Sequence, residues 1–130
     1  MRIVADTNIF LAVALNEPEK MEIIRLSGGH ELIAPEVLPF EIGNALSALV
    51  KRRRLQKEEA MAAWGICQRI PVDLRAIDIA KALDKALNEN IYAYDAYFIE
   101  CAKLMRCPLL TLDRQMKSVA QSQGIKVLEP

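Results

Sequence analysis

The chain has 130 residues, 52% of them hydrophobic and 26% charged, and its 17 basic side chains balance its 17 acidic ones. That is the composition of one globular domain, residues 1–130, with enough chain for a single core and too little for two. The longest apolar run, Ile9 to Leu15, falls far short of the roughly 18 to 20 residues of a membrane span. Met1-Arg2, three apolar residues and then Asp6 do not make a secretory leader, so the expected location is the cytoplasm, with no membrane partner.

Three cysteines, Cys67, Cys101 and Cys107, lack C-x-x-C spacing and accompany a single histidine, His30. This sets aside zinc sites, disulfide frameworks and nucleophiles that need a histidine base. Reduced buried thiols and a loop histidine beside Gly28-Gly29 are expected instead. Zero net charge argues against a nucleic-acid partner, but only weakly. If four of the 17 acids are held in a metal site, 17 basic residues face 13 acidic ones, a surplus of four positives.

Ile3-Val4-Ala5 is apolar without alternation, as in a strand buried on both faces of a parallel sheet. Asp6 ends the run where open α/β sheets place their ligands, beyond the carboxyl ends of strands. Thr7 and Asn8 are short polar groups able to bond that carboxylate or to cap the helix expected over Ile9 to Leu15. Glu17-Pro18 opens a second helix, carrying Met21, Ile23, Ile24 and Leu26, which Gly28-Gly29 ends. Glu31 to Ala34 reads as a strand and Pro35 as the opening of a third helix, with Val37, Leu38, Ile42, Ala45, Leu46 and Leu49 at helical spacing. Glu41 falls in its second turn, at the same sheet edge as Asp6. Gly43 and Asn44, weak helix formers, suggest close packing or a polar contact there.

Lys51-Arg52-Arg53-Arg54 closes that helix, where cations oppose the dipole and are also available to phosphates. Lys57 to Gln68 reads as a helix with Ala60, Met61, Trp64 and Cys67 on one face. Ile70-Pro71-Val72 is a candidate edge strand, and Leu74 to Leu87 an amphipathic helix with Ile77, Ala80, Leu83 and Leu87 inward, broken by Asn88-Glu89-Asn90. Tyr92-Ala93-Tyr94-Asp95 introduces a helix with Phe98, Ile99, Ala102 and Met105 on its apolar stripe. A right-handed crossover returns its first turn, and Asp95, to the carboxyl edge. Leu109 to Leu112 repeats the opening design, an apolar strand ending in Asp113 with Thr111 beside it. Met116 to Gln123 is the last helix, stopped by Gly124, and Ile125 to Leu128 a terminal strand.

This topology brings Asp6, Glu41, Asp95 and Asp113 to one edge. Carboxylates about 4 to 5 Å apart repel by roughly 3 to 4 kcal/mol per pair at an effective dielectric near 20, so such a cluster calls for protons or a cation. All-oxygen ligation without His or Cys favours Mg²⁺ or Mn²⁺. The reaction suited to that site is metal-assisted hydrolysis of a phosphodiester.

Asp6-Thr7-Asn8 after an N-terminal strand, Phe40-Glu41-Ile42-Gly43-Asn44-Ala45-Leu46, Tyr94-Asp95-Ala96-Tyr97 and Thr111-Leu112-Asp113 together resemble a PIN domain, most like the VapC-type toxins of toxin-antitoxin pairs. The resemblance implies a three-layer α/β/α fold with a parallel sheet of four or five strands. It also implies a Mg²⁺- or Mn²⁺-dependent endoribonuclease with those four acids as catalytic metal ligands and Asn8 and Thr111 in support. An RNA substrate, a homodimer and a VapB-type antitoxin are implied as partners. Arg52, Arg53, Arg54 and Arg114 are the candidate RNA contacts.

Two other readings exist. A haloacid-dehalogenase-like phosphatase would use Asp6 as nucleophile, but such enzymes carry Asp-x-Asp and Asn8 stands at the second position. A non-catalytic RNA-binding module would retain the acids as a structural metal site.

Overall fold

Arg2–Ala5 forms the central strand, β1, and apart from Arg2 it is buried. In the computed structural model, which describes residues 1–130, β1 pairs in parallel with β2 (Glu31–Pro35) on one side and β4 (Leu109–Leu110) on the other. Strands β3 (Asp73–Arg75) and β5 (Val127–Leu128) complete a parallel sheet in the order β3-β2-β1-β4-β5. The expected four or five strands are five. Ile3, Val4, Ala5, Leu109 and Leu110 have no exposed surface, because helices cover both faces and leave no side for alternation.

The covering helices are α1 (Thr7–Ala14), α2 (Lys20–Ser27), α3 (Leu38–Lys51), α4 (Lys57–Arg69), α5 (Ile79–Glu89), α6 (Ala93–Met105) and α7 (Arg114–Ser122). The chain moves outward from β1 to β2 to β3 through α1 to α4, which pack on one another. It then crosses back through α5 and α6 to β4 and continues through α7 to β5, so right-handed crossovers place these helices on the opposite face. The result is the expected three-layer α/β/α arrangement. Phe10 of α1 and Phe98 of α6, each essentially without exposed surface, anchor the two layers.

Several boundaries differ from the sequence reading. Helix α1 starts at Thr7 rather than Ile9. Pro35 ends β2, and Pro39 supplies the proline of the first turn of α3, which puts Glu41 in that turn rather than the second. Residues 70–72 are not a strand. Pro71 lacks a ladder donor, and pairing begins beyond it at Asp73. Leu74 therefore belongs to β3, and α5 starts after Asp78, whose carboxylate accepts from the Lys81 amide at 3.1 Å.

The inward face of α5 also differs. Ala82 and Ala86 pack against Ala96 of α6, small residues that let the two helices approach closely, whereas Leu83 and Leu87 stay 47% and 73% exposed. Met61 likewise faces outward on α4, where Ala60, Ala63 and Cys67 are inside. Gly43 is exposed with open space around it, so close packing is not its role. Strand β4 stops at Leu110 and α7 starts at Arg114, so Thr111, Leu112 and Asp113 form the turn between them. All three cysteines are free and buried, and burial pushes the Cys101 thiol up to about 12.

Candidate active site

The strand order reverses direction between β1 and β4, and the crevice outside such a switch point is where open α/β sheets bind ligands. Asp6 follows β1 and Thr111 follows β4 at that crevice. The Asp6 amide donates to the Leu110 carbonyl at 3.1 Å, which carries the strand pairing to the edge. The Asp6 side chain does not cap α1, although Asp6 holds the N-cap position. Its Oδ2 accepts from the Thr111 hydroxyl at 3.0 Å, and the Thr111 oxygen in turn accepts from the Asp113 amide at 3.0 Å. One threonine thus ties the ends of β1 and β4 together.

Asp6 is 4% exposed, and its carboxyl is pushed up to about 7. Loss of hydration is the main cause, with Asp95 and Glu41 adding repulsion. The Thr111 hydroxyl and Thr7 amide pull the other way and only partly offset it. Glu41 is half-buried one turn into α3. Its Oε2 accepts from the Thr7 hydroxyl at 2.6 Å, while its Oε1 is buried without any partner. Burial raises the Glu41 carboxyl above its ordinary range, and Asp95 raises it further. Asp95, in the first turn of α6, is raised by burial and then by Asp113.

Asp6, Glu41 and Asp95 line one cavity of about 300 Å³, together with Thr7, Asn8, Phe40, Asn44, Ala45, Tyr92 and Tyr94. Asp113 lies just outside. Its Oδ1 caps α7 by accepting from the Met116 amide at 3.0 Å, and it lines two adjoining clefts. One of these contains Arg52 and shares Asn8 with the acidic cavity, and the other contains Arg114 and Lys117. Of the four candidate arginines, the fold therefore brings Arg52 and Arg114 into clefts shared with Asp113, outside the cavity of the other three acids, while Arg53 and Arg54 are exposed beyond the end of α3 and line none of these hollows.

As the side chains stand, no three acidic, histidine or cysteine groups close into a metal shell. The donor set nonetheless fits a hard cation. A buried carboxylate oxygen with no donor and three acids all pushed toward the neutral form lack positive charge, and a cation supplies it. Mg²⁺ is commonly held by one or two carboxylates and several waters, which needs no closed protein cage.

The sequence offered Thr7 as a partner for Asp6 or a helix cap rather than for Glu41, and it showed Phe40, Asn44, Tyr92 and Tyr94 only as neighbours of Glu41 and Asp95, with a polar contact possible near Asn44. The available signal was their position within one or three residues of Glu41 or Asp95.

The model of the PIN domain family matches residues 3–122. Ribonuclease VapC9 of Mycobacterium tuberculosis is 26% identical over 121 residues, covering 93% of each chain. Ribonuclease VapC3 of Pyrobaculum aerophilum is 27% identical, covering 89% of this chain and 92% of that one. A chain from the crystal structure of VapBC2 from Rickettsia felis bound to a promoter DNA fragment superposes with a TM-score of 0.70 at 12% identity, covering 99% of this chain and 98% of that one, a likeness of fold. With its switch-point acids in place and the family model spanning nearly its whole length, this chain belongs to the PIN domain family.

Proposed function

We propose that the chain is a divalent-metal-dependent endoribonuclease, the toxin of a VapBC-type toxin-antitoxin pair, acting as a single-domain, cytoplasmic homodimer. Its relatives in Mycobacterium and Pyrobaculum are VapC ribonucleases, and its structural likeness includes a VapBC2 assembly, which supports an RNA substrate and a VapB-type antitoxin. The observation that carries the reading is the buried Asp6 carboxyl at the switch point, beside a Glu41 oxygen that no protein donor satisfies.

Asp6, Glu41, Asp95 and Asp113 are the residues to hold Mg²⁺ or Mn²⁺. When bound, such an ion lowers the pKa of a water and neutralises charge on a phosphodiester. The chain's own work is positioning. Thr111 orients Asp6 and Thr7 orients Glu41, each by one hydroxyl hydrogen bond. Exposed Asn8, between the acidic cavity and the Asp113 cleft, offers an amide to a phosphate oxygen. Arg52 and Arg114 supply cations on the flanking clefts, where contacts to phosphate set register rather than sequence.

The test is cleavage of a single-stranded RNA with Mg²⁺ or Mn²⁺. Asp6→Asn and Asp95→Asn are each expected to abolish cleavage with an unchanged circular dichroism spectrum. Full activity in either variant, or RNA binding that ignores EDTA with no cleavage under any divalent ion, would overturn the proposal.

A further inference from the structure

The chain has seven aromatic residues, three Phe, three Tyr and one Trp. Phe10 and Phe98 are in the core, and Trp64 and Tyr97 are half-buried. The remaining three, Phe40 at 78%, Tyr92 at 82% and Tyr94 at 55% exposure, all line the cavity of Asp6, Glu41 and Asp95. They come from two elements far apart in the chain. Phe40 precedes Glu41 in the first turn of α3, while Tyr92 and Tyr94 bracket the start of α6 just before Asp95. Tyr94 is held edge-on against Tyr97, with ring centroids 5.9 Å apart and planes at 82°. Its ring is braced while most of its surface stays open.

We propose that Phe40, Tyr92 and Tyr94 are a stacking rim for unpaired nucleobases flanking the phosphate addressed by the acids. This deepens the ribonuclease reading and rests on it. Unpaired bases splay out and stack on aromatic rings, whereas an A-form helix keeps its base faces covered. Rings around a cleft suit bases of any sequence, since every base has a π-face.

The cavity also disfavours an apolar side chain as its occupant. Apart from the rings and Ala45 its lining is polar, with Asp6, Glu41, Asp95, Asn8 and Asn44 among it, so an apolar partner side chain seated there would strip water from carboxylates without replacing it. A nucleotide places its base on the rim and its phosphate, with a counter-cation, over the acids.

The rim is tested by binding of a short single-stranded oligoribonucleotide carrying 2-aminopurine beside the target linkage, in Mg²⁺, to the Asp6→Asn protein. Fluorescence quenching is expected on binding. Phe40→Leu, Tyr92→Leu and Tyr94→Leu, at exposed positions where folding is not at stake, should each weaken binding roughly five- to a hundredfold and relieve the quench. In the protein with Asp6 intact, the same changes should raise KM far more than they lower kcat, and a duplex of the same sequence should be cleaved at least about tenfold more slowly.

Cleavage by the unsubstituted protein, with rim variants that bind and cleave single strands as it does, overturns the proposal. So does equal cleavage of the duplex, or a rim variant that changes only self-association in sedimentation and leaves RNA binding intact. Absence of cleavage by the unsubstituted protein would sink the ribonuclease reading instead, and the fluorescence arm would still decide whether the rim stacks bases.

Discussion

A carboxyl pushed up to about 7 in a site without positive charge destabilises its own fold at neutral pH. Asp6 in the folded chain retains its proton up to about pH 7, whereas in the unfolded chain it releases it near 3.8. Between those values the native state binds more protons, so stability is full below about pH 4 and falls as pH rises through about 7, by an upper figure of about 4 kcal/mol. Glu41 and Asp95 shift in the same direction. Asp6→Asn, which keeps an acceptor for Thr111, should therefore raise the urea midpoint at pH 8 in EDTA, with the gain vanishing near pH 4. Addition of Mg²⁺ should raise the melting temperature of the unsubstituted protein at pH 8 and do far less for Asp6→Asn. A variant more stable without metal and less responsive to it separates a metal site from an acid held for structure alone.

Asp113 shows how one residue serves two levels. Its carboxylate caps α7 through the Met116 amide, and its position after β4 sets it among the clefts beside the acidic cavity. Asp113→Ala should lose the cap and about 1 kcal/mol in denaturant unfolding. Asp113→Ser, which keeps a capping oxygen, should restore most of that stability without restoring RNA cleavage. Recovery of both together would make the residue a cap and nothing more. Helix α3 works similarly at the scale of the element. Pro39 fixes its first turn, so that Glu41 and Phe40 emerge at the sheet edge instead of a turn further along.

Across the whole molecule, α6 joins the core to the site. Phe98 is fully buried under the sheet three residues after Asp95, so the packing that stabilises the domain also sets the direction of the acid. Phe98→Ala should cost roughly 3 to 5 kcal/mol by denaturant titration, with loss of cleavage following loss of fold. The four acids were identifiable in the chain because three of them stand where strands or helices start or stop, and such punctuation is local chemistry. So was the parallel sheet, since unalternated runs such as Ile3-Val4-Ala5 need cover on both faces. The inward face of α5 was not, because leucine and alanine are both apolar and only the close approach of α6 selects Ala82 and Ala86 over Leu83 and Leu87. Nor was the pairing of Thr7 with Glu41, 34 residues away, or of Thr111 with Asp6, 105 residues away. Composition and spacing named the candidate acids, because charge, chain punctuation and strand burial are properties of short segments. Which hydroxyl orients which acid, and that Phe40 lines one cavity with Tyr92 and Tyr94 some fifty residues away, depended on α1, α3 and α6 starting at the same sheet edge, a long-range packing outcome that no local pattern encodes.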